Sequence, residues 1–122
     1  MTSRRPTGQQ GMTFTFLIAQ ATVSDLAVAE PWWTALLGRA PDARPMAGLL
    51  EWRPVGGAGL QVWQEPERAG RSTVVLGIDD LETEVARLGE AGLQPLGTQP
   101  GGGGQVVELR DPDGNRAVLF CP

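Results

Sequence analysis

An internal repeat limits the folds open to this chain more strongly than any other property of its sequence. The segment Leu17 to Pro41 has a counterpart in Ser72 to Pro95, and both run from an apolar strand through an acidic cap and an Asp-Leu pair into an amphipathic helix. Both helices repeat apolar residues at spacings of three and four, as a buried stripe requires. These residues are Leu26, Ala29, Trp33 and Leu36 in the first helix and Leu81, Val85 and Leu88 in the second. The chain is therefore expected to contain two copies of one unit.

Cap residues mark where each helix begins. Ser24 or Asp25 precedes the first helix and Asp79 or Asp80 the second, and such side chains accept hydrogen bonds from unpaired backbone N–H groups. Pro31 lies within the first helical pattern, so we expect either a kink or a start delayed toward Pro31.

Three short strands separated by turn residues are predicted after each helix. Gly56-Gly57 supplies the turn between the last two strands of the first half. Each half then runs strand, helix, strand, strand, strand, and two such units packing their curved sheets together leave a concave face. The predicted strands are Ala43 to Ala47, Gly48 to Pro54 and Gly59 to Glu65 in the first half, and Leu93 to Thr98, Gln105 to Arg110 and Asn115 to Phe120 in the second.

Length and charge narrow the class of protein. The chain has 122 residues, of which 41% are hydrophobic. We predict a disordered polar tail over residues 1–11 and a single domain over 12–122, with modules 12–66 and 71–122. A net charge of −4 argues against nucleic-acid partners. No stretch reaches the roughly 20 apolar residues of a membrane span. The single Cys121 excludes an intramolecular disulfide, and we expect a cytoplasmic protein.

The order and spacing of four motifs resemble a known superfamily. TVSDL precedes the first helix, WWTALLG ends it, IDDLETEVARLGEAG follows in the second half, and DPDGN closes the chain. Over Thr13 to Phe120 the sequence is similar to the vicinal oxygen chelate superfamily of glyoxalases, bleomycin resistance proteins and extradiol dioxygenases. The resemblance implies an α+β fold in which two repeated βαβββ modules form a curved, partly closed mixed sheet around a cavity, with the helices outside. It also implies a homodimer.

The superfamily's metal enzymes use four ligand positions, and the resemblance places these on Ile18, Gln61, Thr73 and Val118. Isoleucine and valine offer no lone pair and a threonine hydroxyl is a poor ligand, so we expect no metal and no cofactor. The alternative is a shifted register in which Gln20, Glu51 or Glu108 turns inward, an oxygen-only set suited to Mg²⁺ or Ca²⁺.

Three further motifs have simpler explanations than chemistry. The DPDG stretch lacks the Gly and Glu positions of a calcium loop and is predicted to be a turn. The run Gly101 to Gly104 leads into a strand, not a helix N-terminus, so a flexible hairpin loop is expected there rather than a phosphate site. Cys121 has no histidine in the chain to activate it.

Tryptophans and the substituted ligand positions together predict an apolar pocket. Trp63 is expected on the same strand face as Gln61, with Trp52 on the neighbouring strand. The leading hypothesis is a metal-free protein that sequesters an aromatic or amphipathic molecule, including a cationic antibiotic. The alternatives are a lyase, isomerase or dioxygenase with a non-standard site, and a structural module without a ligand. The predicted ligand-binding residues are Trp63, Gln61, Trp52, Thr73, Ile18, Phe16, Val118 and Phe120.

Overall fold

The computed structural model describes residues 11–122, so the first ten residues of the predicted tail lie outside the described residues. The first module contains β1, α1, β2, β3 and β4, followed by a short 3₁₀ turn at Pro66–Arg68, and the second contains β5, α2, β6, β7 and β8. The elements are β1 Leu17–Val23, α1 Leu26–Leu37, β2 Ala43–Met46, β3 Leu49–Val55, β4 Ala58–Gln64, β5 Thr73–Gly77, α2 Leu81–Glu90, β6 Gln99–Gly101, β7 Gly104–Arg110 and β8 Arg116–Cys121.

Each module folds its four strands into one mixed sheet. The strand order is β1-β4-β3-β2 in the first sheet and β5-β8-β7-β6 in the second. The first strand of each module pairs in parallel with the last, and the remaining pairs are antiparallel. The duplicated βαβββ architecture and the α+β class are therefore confirmed, and the two sheets remain open rather than closing into a barrel.

The helix caps explain why both helices begin where they do. The Asp25 side chain accepts a hydrogen bond from the backbone N–H of Ala27 at 2.9 Å, and Asp80 accepts one from Thr83 at 3.1 Å. Because Asp25 caps the first turn, α1 begins at Leu26 and continues through Pro31. The alternative of a start delayed toward Pro31 was therefore wrong.

The segment after α2 differs from the prediction. A strand was expected over Leu93 to Thr98, whereas β6 begins only at Gln99. Pro95 has no N–H to donate to a ladder, which interrupts the segment that was predicted to pair. The glycine run forms a tight hairpin turn, with φ of 59° at Gly102 and 84° at Gly103, between β6 and β7. Both glycines are needed because other residues adopt such angles at a cost.

One hydrophobic core lies between the helices and one face of both sheets. Alternate residues of the central strands point into it, while their neighbours point to the opposite side, which we call the open face. No helix within residues 11–122 is long and apolar enough to cross a membrane. The core contains Ala21, Val23, Ala29, Trp33, Leu36, Leu50, Trp52, Leu60, Val62, Val74, Leu88, Val107, Leu109, Ala117 and Leu119.

The DPDGN turn joins the two modules. Asn115 is fully buried; its amide donates to the backbone oxygen of Thr22 at 2.8 Å and accepts from the backbone N–H of Ser72 at 2.8 Å. Asp111, also buried, accepts a hydrogen bond from Trp33 Nε1 at 3.2 Å. The motif is thus a turn, as predicted, and its side chains satisfy polar groups from both modules.

Candidate functional site

The open face carries most of the residues predicted to contact a ligand. Ile18 lies on β1, and Gln61 and Trp63 on β4 point to the same side. On the second sheet, the core-facing residues of β5 and β8 are Val74, Ala117 and Leu119. The residues next to these along each strand therefore point to the open face. The predicted residues on the open face of the two sheets are Ile18, Gln61, Trp63, Thr73, Val118 and Phe120.

Trp52 does not belong to this set, and its assignment to the ligand site was wrong. Its side chain is 1% exposed within the core, and its Nε1 donates to the backbone oxygen of Arg39 at 2.9 Å. The physical reason is strand parity: Trp52 faces Leu60 across β3 and β4, and both point toward the helices. The next residue back, Glu51, takes the open face instead.

Glu51 is a functional candidate that the sequence analysis named only for the alternative metal set and not among the predicted ligand-binding residues. It lies directly opposite Gln61, whose Nε2 donates to Glu51 Oε1 at 2.8 Å. Arg53 Nε donates to the other oxygen at 2.6 Å. On the far side, Gln61 Oε1 accepts from Gln20 Nε2 at 2.9 Å, so a row of polar side chains crosses three strands. Glu51 is nevertheless 8% exposed, an unusually low value for a carboxylate.

The electrostatics of Glu51 follow from these contacts. Hydrogen bonds from Gln61 and then from Arg53 stabilise the charged carboxylate and hold its pKa below the usual range for glutamate, against the opposing effect of burial. Glu51 is therefore ionised at neutral pH. An ionised acceptor that is almost withdrawn from water is a strong attachment point for a ligand that brings hydrogen-bond donors.

A groove of about 620 Å³ opens beside this carboxylate at the end of the first sheet. One aromatic side chain, Phe16, and one aliphatic side chain, Ile18, form an apolar wall, and the glycines of the β3–β4 turn close the end of the groove. Gly56 has no atom within 4 Å of where a Cβ would stand, so this part of the groove is open space. The lining residues are Phe16, Ile18, Glu51, Arg53, Pro54, Gly56, Gly57, Ala58 and Gly59.

The structure brings only part of the predicted site to this groove. Among the described residues, Phe16 and Ile18 line it, and Gln61 reaches it indirectly by contacting Glu51. Trp63 is half-buried farther along β4, where its Nε1 donates to Glu65 at 3.1 Å. The remaining predicted residues, which do not line the groove, lie on the second sheet and are Thr73, Val118 and Phe120.

The residues at the superfamily's metal positions do not fit a metal ion. Ile18 and Val118 offer no donor atom, and both ends of the Gln61 amide are engaged by Gln20 and Glu51. Within residues 11–122 no three His, Cys, Asp or Glu side chains cluster closely enough to hold an ion. In the alternative oxygen-only set, Gln20 and Gln61 are hydrogen-bonded in a row to Glu51 on the first sheet. Glu108 lies on the second sheet, where it accepts from Arg110 and Arg116.

The duplicated βαβββ modules, the open face and the groove beside it define a class of α+β proteins. The sequence assigns the chain to a family within this class. It matches the Glyoxalase-like domain family over residues 18–120, and the chain belongs to this family. The resemblance to the vicinal oxygen chelate superfamily is thereby confirmed. None of the curated proteins matches the sequence significantly.

Solved structures of this fold include proteins that bind antibiotics. A glyoxalase/bleomycin resistance protein from Catenulispora acidiphila DSM 44928 superposes with a TM-score of 0.83 at 26% identity, covering 89% of this chain and 99% of that one. TnmS3, an antibiotic-binding protein from Streptomyces sp. CB03234, gives 0.75 at 25% identity, with 93% and 99% covered. A bleomycin-binding protein complexed with bleomycin gives 0.71 at 20% identity, with 90% and 99% covered, and shows the shared fold.

Proposed function

We propose that this protein binds and sequesters a small aromatic or amphipathic molecule on its open face, without a metal ion. The observation that carries the proposal is the groove in which the apolar side chains of Phe16 and Ile18 face the nearly buried carboxylate of Glu51. Apolar walls with a few fixed polar groups are the usual composition of a small-molecule site. The similarity to TnmS3 supports an antibiotic as the ligand.

The remaining open-face residues supply an extended contact surface in this proposal. Gln61 positions Glu51, while Trp63 offers an indole face farther along the same strand. The second sheet adds a polar contact and two apolar ones when the ligand is large enough to span both sheets. These contacts are Thr73, Val118 and Phe120.

We also propose that the chain forms a homodimer through the segment that leads into β1. Four large apolar side chains are exposed there within six residues, which is more than scattered surface hydrophobics account for. Sedimentation equilibrium tests the assignment: a 13.0 kDa species at micromolar concentration contradicts it. The exposed residues are Met12 (82%), Phe14 (69%), Phe16 (63%) and Leu17 (71%).

The cytoplasm is the proposed compartment, since the single Cys121 needs no oxidising environment.

The decisive experiment for the function is direct binding. Untagged protein is screened by isothermal titration calorimetry against bleomycin and a panel of aromatic antibiotics, in buffer treated to remove metals. A dissociation constant of about 1 µM or lower for at least one compound is the expected result. If every compound fails to bind, both with and without added divalent cations, the proposed function is wrong.

A further inference from the structure

The internal repeat allows the groove to be compared with its counterpart in the second module. Glu51 faces Gln61 across β3 and β4, and Glu108 faces Val118 across β7 and β8. Each glutamate is followed two residues later by an arginine on the same face, in Glu-Trp-Arg and Glu-Leu-Arg. Both arginines pair with their glutamate, at 2.6 Å for the first module and 2.8 Å for the second. The two open faces therefore carry the same glutamate–arginine pair.

The two modules differ in the second partner of the glutamate. In the second module Arg116 binds Glu108 Oε1 at 2.7 Å, so that carboxylate has two guanidinium partners. In the first module the neutral amide of Gln61 contacts Glu51 Oε1. The position that corresponds to Arg116 is Gly59, which precedes Leu60 as Arg116 precedes Ala117 in the matching strand pairs. Gly59 lines the groove, so the groove lies where the second module places a cation.

We propose that the groove binds a planar cation, an amidinium or guanidinium group joined to an aromatic ring, with the cation on Glu51 and the ring against Phe16 and Ile18. This deepens the proposed function and rests on it. The ligand's cation would occupy the position that the Arg116 guanidinium occupies beside Glu108. Planar N–H donors match a carboxylate better than a spherical ammonium does, because two parallel hydrogen bonds form together.

The difference in exposure between Glu51 and Arg53 explains why the groove should prefer a cationic ligand to an anionic one. The side chain of Glu51 is 10% exposed and that of Arg53 is 62% exposed. The arginine is therefore screened by water, whereas the carboxylate interacts through a medium of lower dielectric. A ligand carboxylate placed in the groove would be repelled by Glu51, and the arginine that lines the groove, Arg53, is already paired with Glu51.

Three compounds with the same ring and a planar head group test the charge preference. Naphthalene-2-carboxamidine, naphthalene-2-carboxamide and naphthalene-2-carboxylate are titrated into ¹⁵N-labelled full-length protein, with the amide signals of Gly56, Gly57 and Gly59 as reporters. We expect the amidine to shift these signals and to bind at least about tenfold more tightly than the amide, because hydrogen bonds from a charged donor to a carboxylate are stronger than those from a neutral donor. Equal or tighter binding of the carboxylate, or no binding of the amidine, overturns the inference.

Two variants and a control assign the effect to this site. Glu51→Gln should weaken amidine binding about tenfold and leave amide binding unchanged, while the counterpart Glu108→Gln should alter neither. Gly59→Arg should abolish amidine binding by supplying the missing cation. The backbone of Gly59 is outside the left-handed region, and its Cβ would stand 3.3 Å from Ile18 Cγ1, a contact that a flexible side chain can relieve.

The experiment separates this inference from the proposed function. If amidine binding is unaffected by Glu51→Gln, or if the amide binds as tightly as the amidine, the charge assignment is wrong while a small-molecule function stands. If Gly59→Arg fails to fold, the Glu51→Gln and Glu108→Gln comparison alone decides the matter. The failure of bleomycin and the antibiotic panel to bind concerns the proposed function instead.

Discussion

Gln61 Nε2 donates to Glu51 Oε1 across β4 and β3 at 2.8 Å, at the position where the superfamily's metal enzymes carry a ligand. The amide is held at its other end by Gln20, so its orientation is fixed by two hydrogen bonds. Gln61 thus orients a carboxylate in the adjacent groove. Under the function proposed above, this position supports a binding site for small molecules.

Removing the Gln61 amide should change the ionisation of Glu51. Its hydrogen bond is the largest of the effects that lower the Glu51 pKa, so Gln61→Leu should raise this pKa toward the ordinary value of 4.5. Side-chain carboxyl ¹³C chemical shifts followed against pH measure the change. Gln20→Leu is the matched comparison: it removes a contact to Gln61 but none to the carboxylate, so it should raise the Glu51 pKa less. An unchanged Glu51 pKa in Gln61→Leu would refute the assigned contact.

Acid should destabilise the fold. The pKa values of five carboxyl groups are lowered in the folded state by hydrogen bonds or ion pairs, from ordinary values of 4.5 for Glu and 3.8 for Asp. The folded protein therefore binds fewer protons than the unfolded chain, and the stabilisation present above these values is lost as the pH falls. We expect the urea midpoint to be flat between about pH 7 and 5.5 and to fall below about pH 4.5. A midpoint that rises on acidification would contradict the ion pairs of Glu30, Asp42, Glu51 and Glu108 and the Thr83 hydrogen bonds of Asp80.

The buried asparagine of the terminal turn should be important for stability. Asn115→Ala leaves the backbone oxygen of Thr22 and the backbone N–H of Ser72 without these partners. We expect a loss of about 2–4 kcal/mol in the free energy of unfolding, since each unpaired buried polar group costs about 1–3 kcal/mol. Urea denaturation measures it, with the exposed Gln105→Ala as control. A loss no larger than that of the control would show that the turn does not hold the modules together.

The two tryptophans of the first sheet should respond differently to truncation. Trp52→Ala removes a fully buried side chain and is expected to cost about 3–5 kcal/mol of unfolding free energy. Trp63→Ala truncates a half-buried ring on the open face and should cost clearly less, because the cavity it leaves is open to water. Equilibrium unfolding in urea compares them; similar losses would contradict the opposite orientations of the two residues.

Metal analysis should find no stoichiometric ion. At the four superfamily ligand positions only Gln61 and Thr73 carry an oxygen, so Mn²⁺, Fe²⁺, Ni²⁺ and Zn²⁺ lack a ligand set among the described residues. Untagged protein grown with these metals and analysed by plasma mass spectrometry is the test, with a histidine-tagged sample as positive control. Near-stoichiometric metal in the untagged protein would revive the enzyme hypothesis.

Sequence reasoning predicted the architecture because the repeat, the caps and the turn residues all agree. The duplicated modules, the caps Asp25 and Asp80 and the strands of the first half were confirmed. The predicted strand at Leu93 to Thr98 was wrong because the apolar residues there are interrupted by Pro95, while a glycine turn starts the hairpin later. Local pattern alone does not decide which side of Pro95 pairs with β7.

The site was less predictable because it depends on strand parity across a hairpin. Counted from the Gly56-Gly57 turn, which pairs Val55 with Ala58, an uninterrupted hairpin would place Trp52 opposite Gln61. A register shift between Trp52 and Val55 instead places Trp52 opposite Leu60 and Glu51 opposite Gln61. The shift turns Glu51 to the open face and Trp52 into the core, and the turn residues alone do not reveal it. The near burial of Glu51 could not be inferred, because it results from the packing of Gln61 and Arg53 around the carboxylate.

Blocking the groove with a side chain tests the central claim most directly. Gly56→Phe introduces a ring into open space within the groove, and Gly97→Phe introduces the same ring at another glycine with no neighbouring atoms. Calorimetric titration of both variants with the tightest ligand of the antibiotic panel should show binding reduced at least about tenfold in Gly56→Phe and unchanged in Gly97→Phe. Wild-type affinity in Gly56→Phe would contradict the assignment of the ligand to this groove.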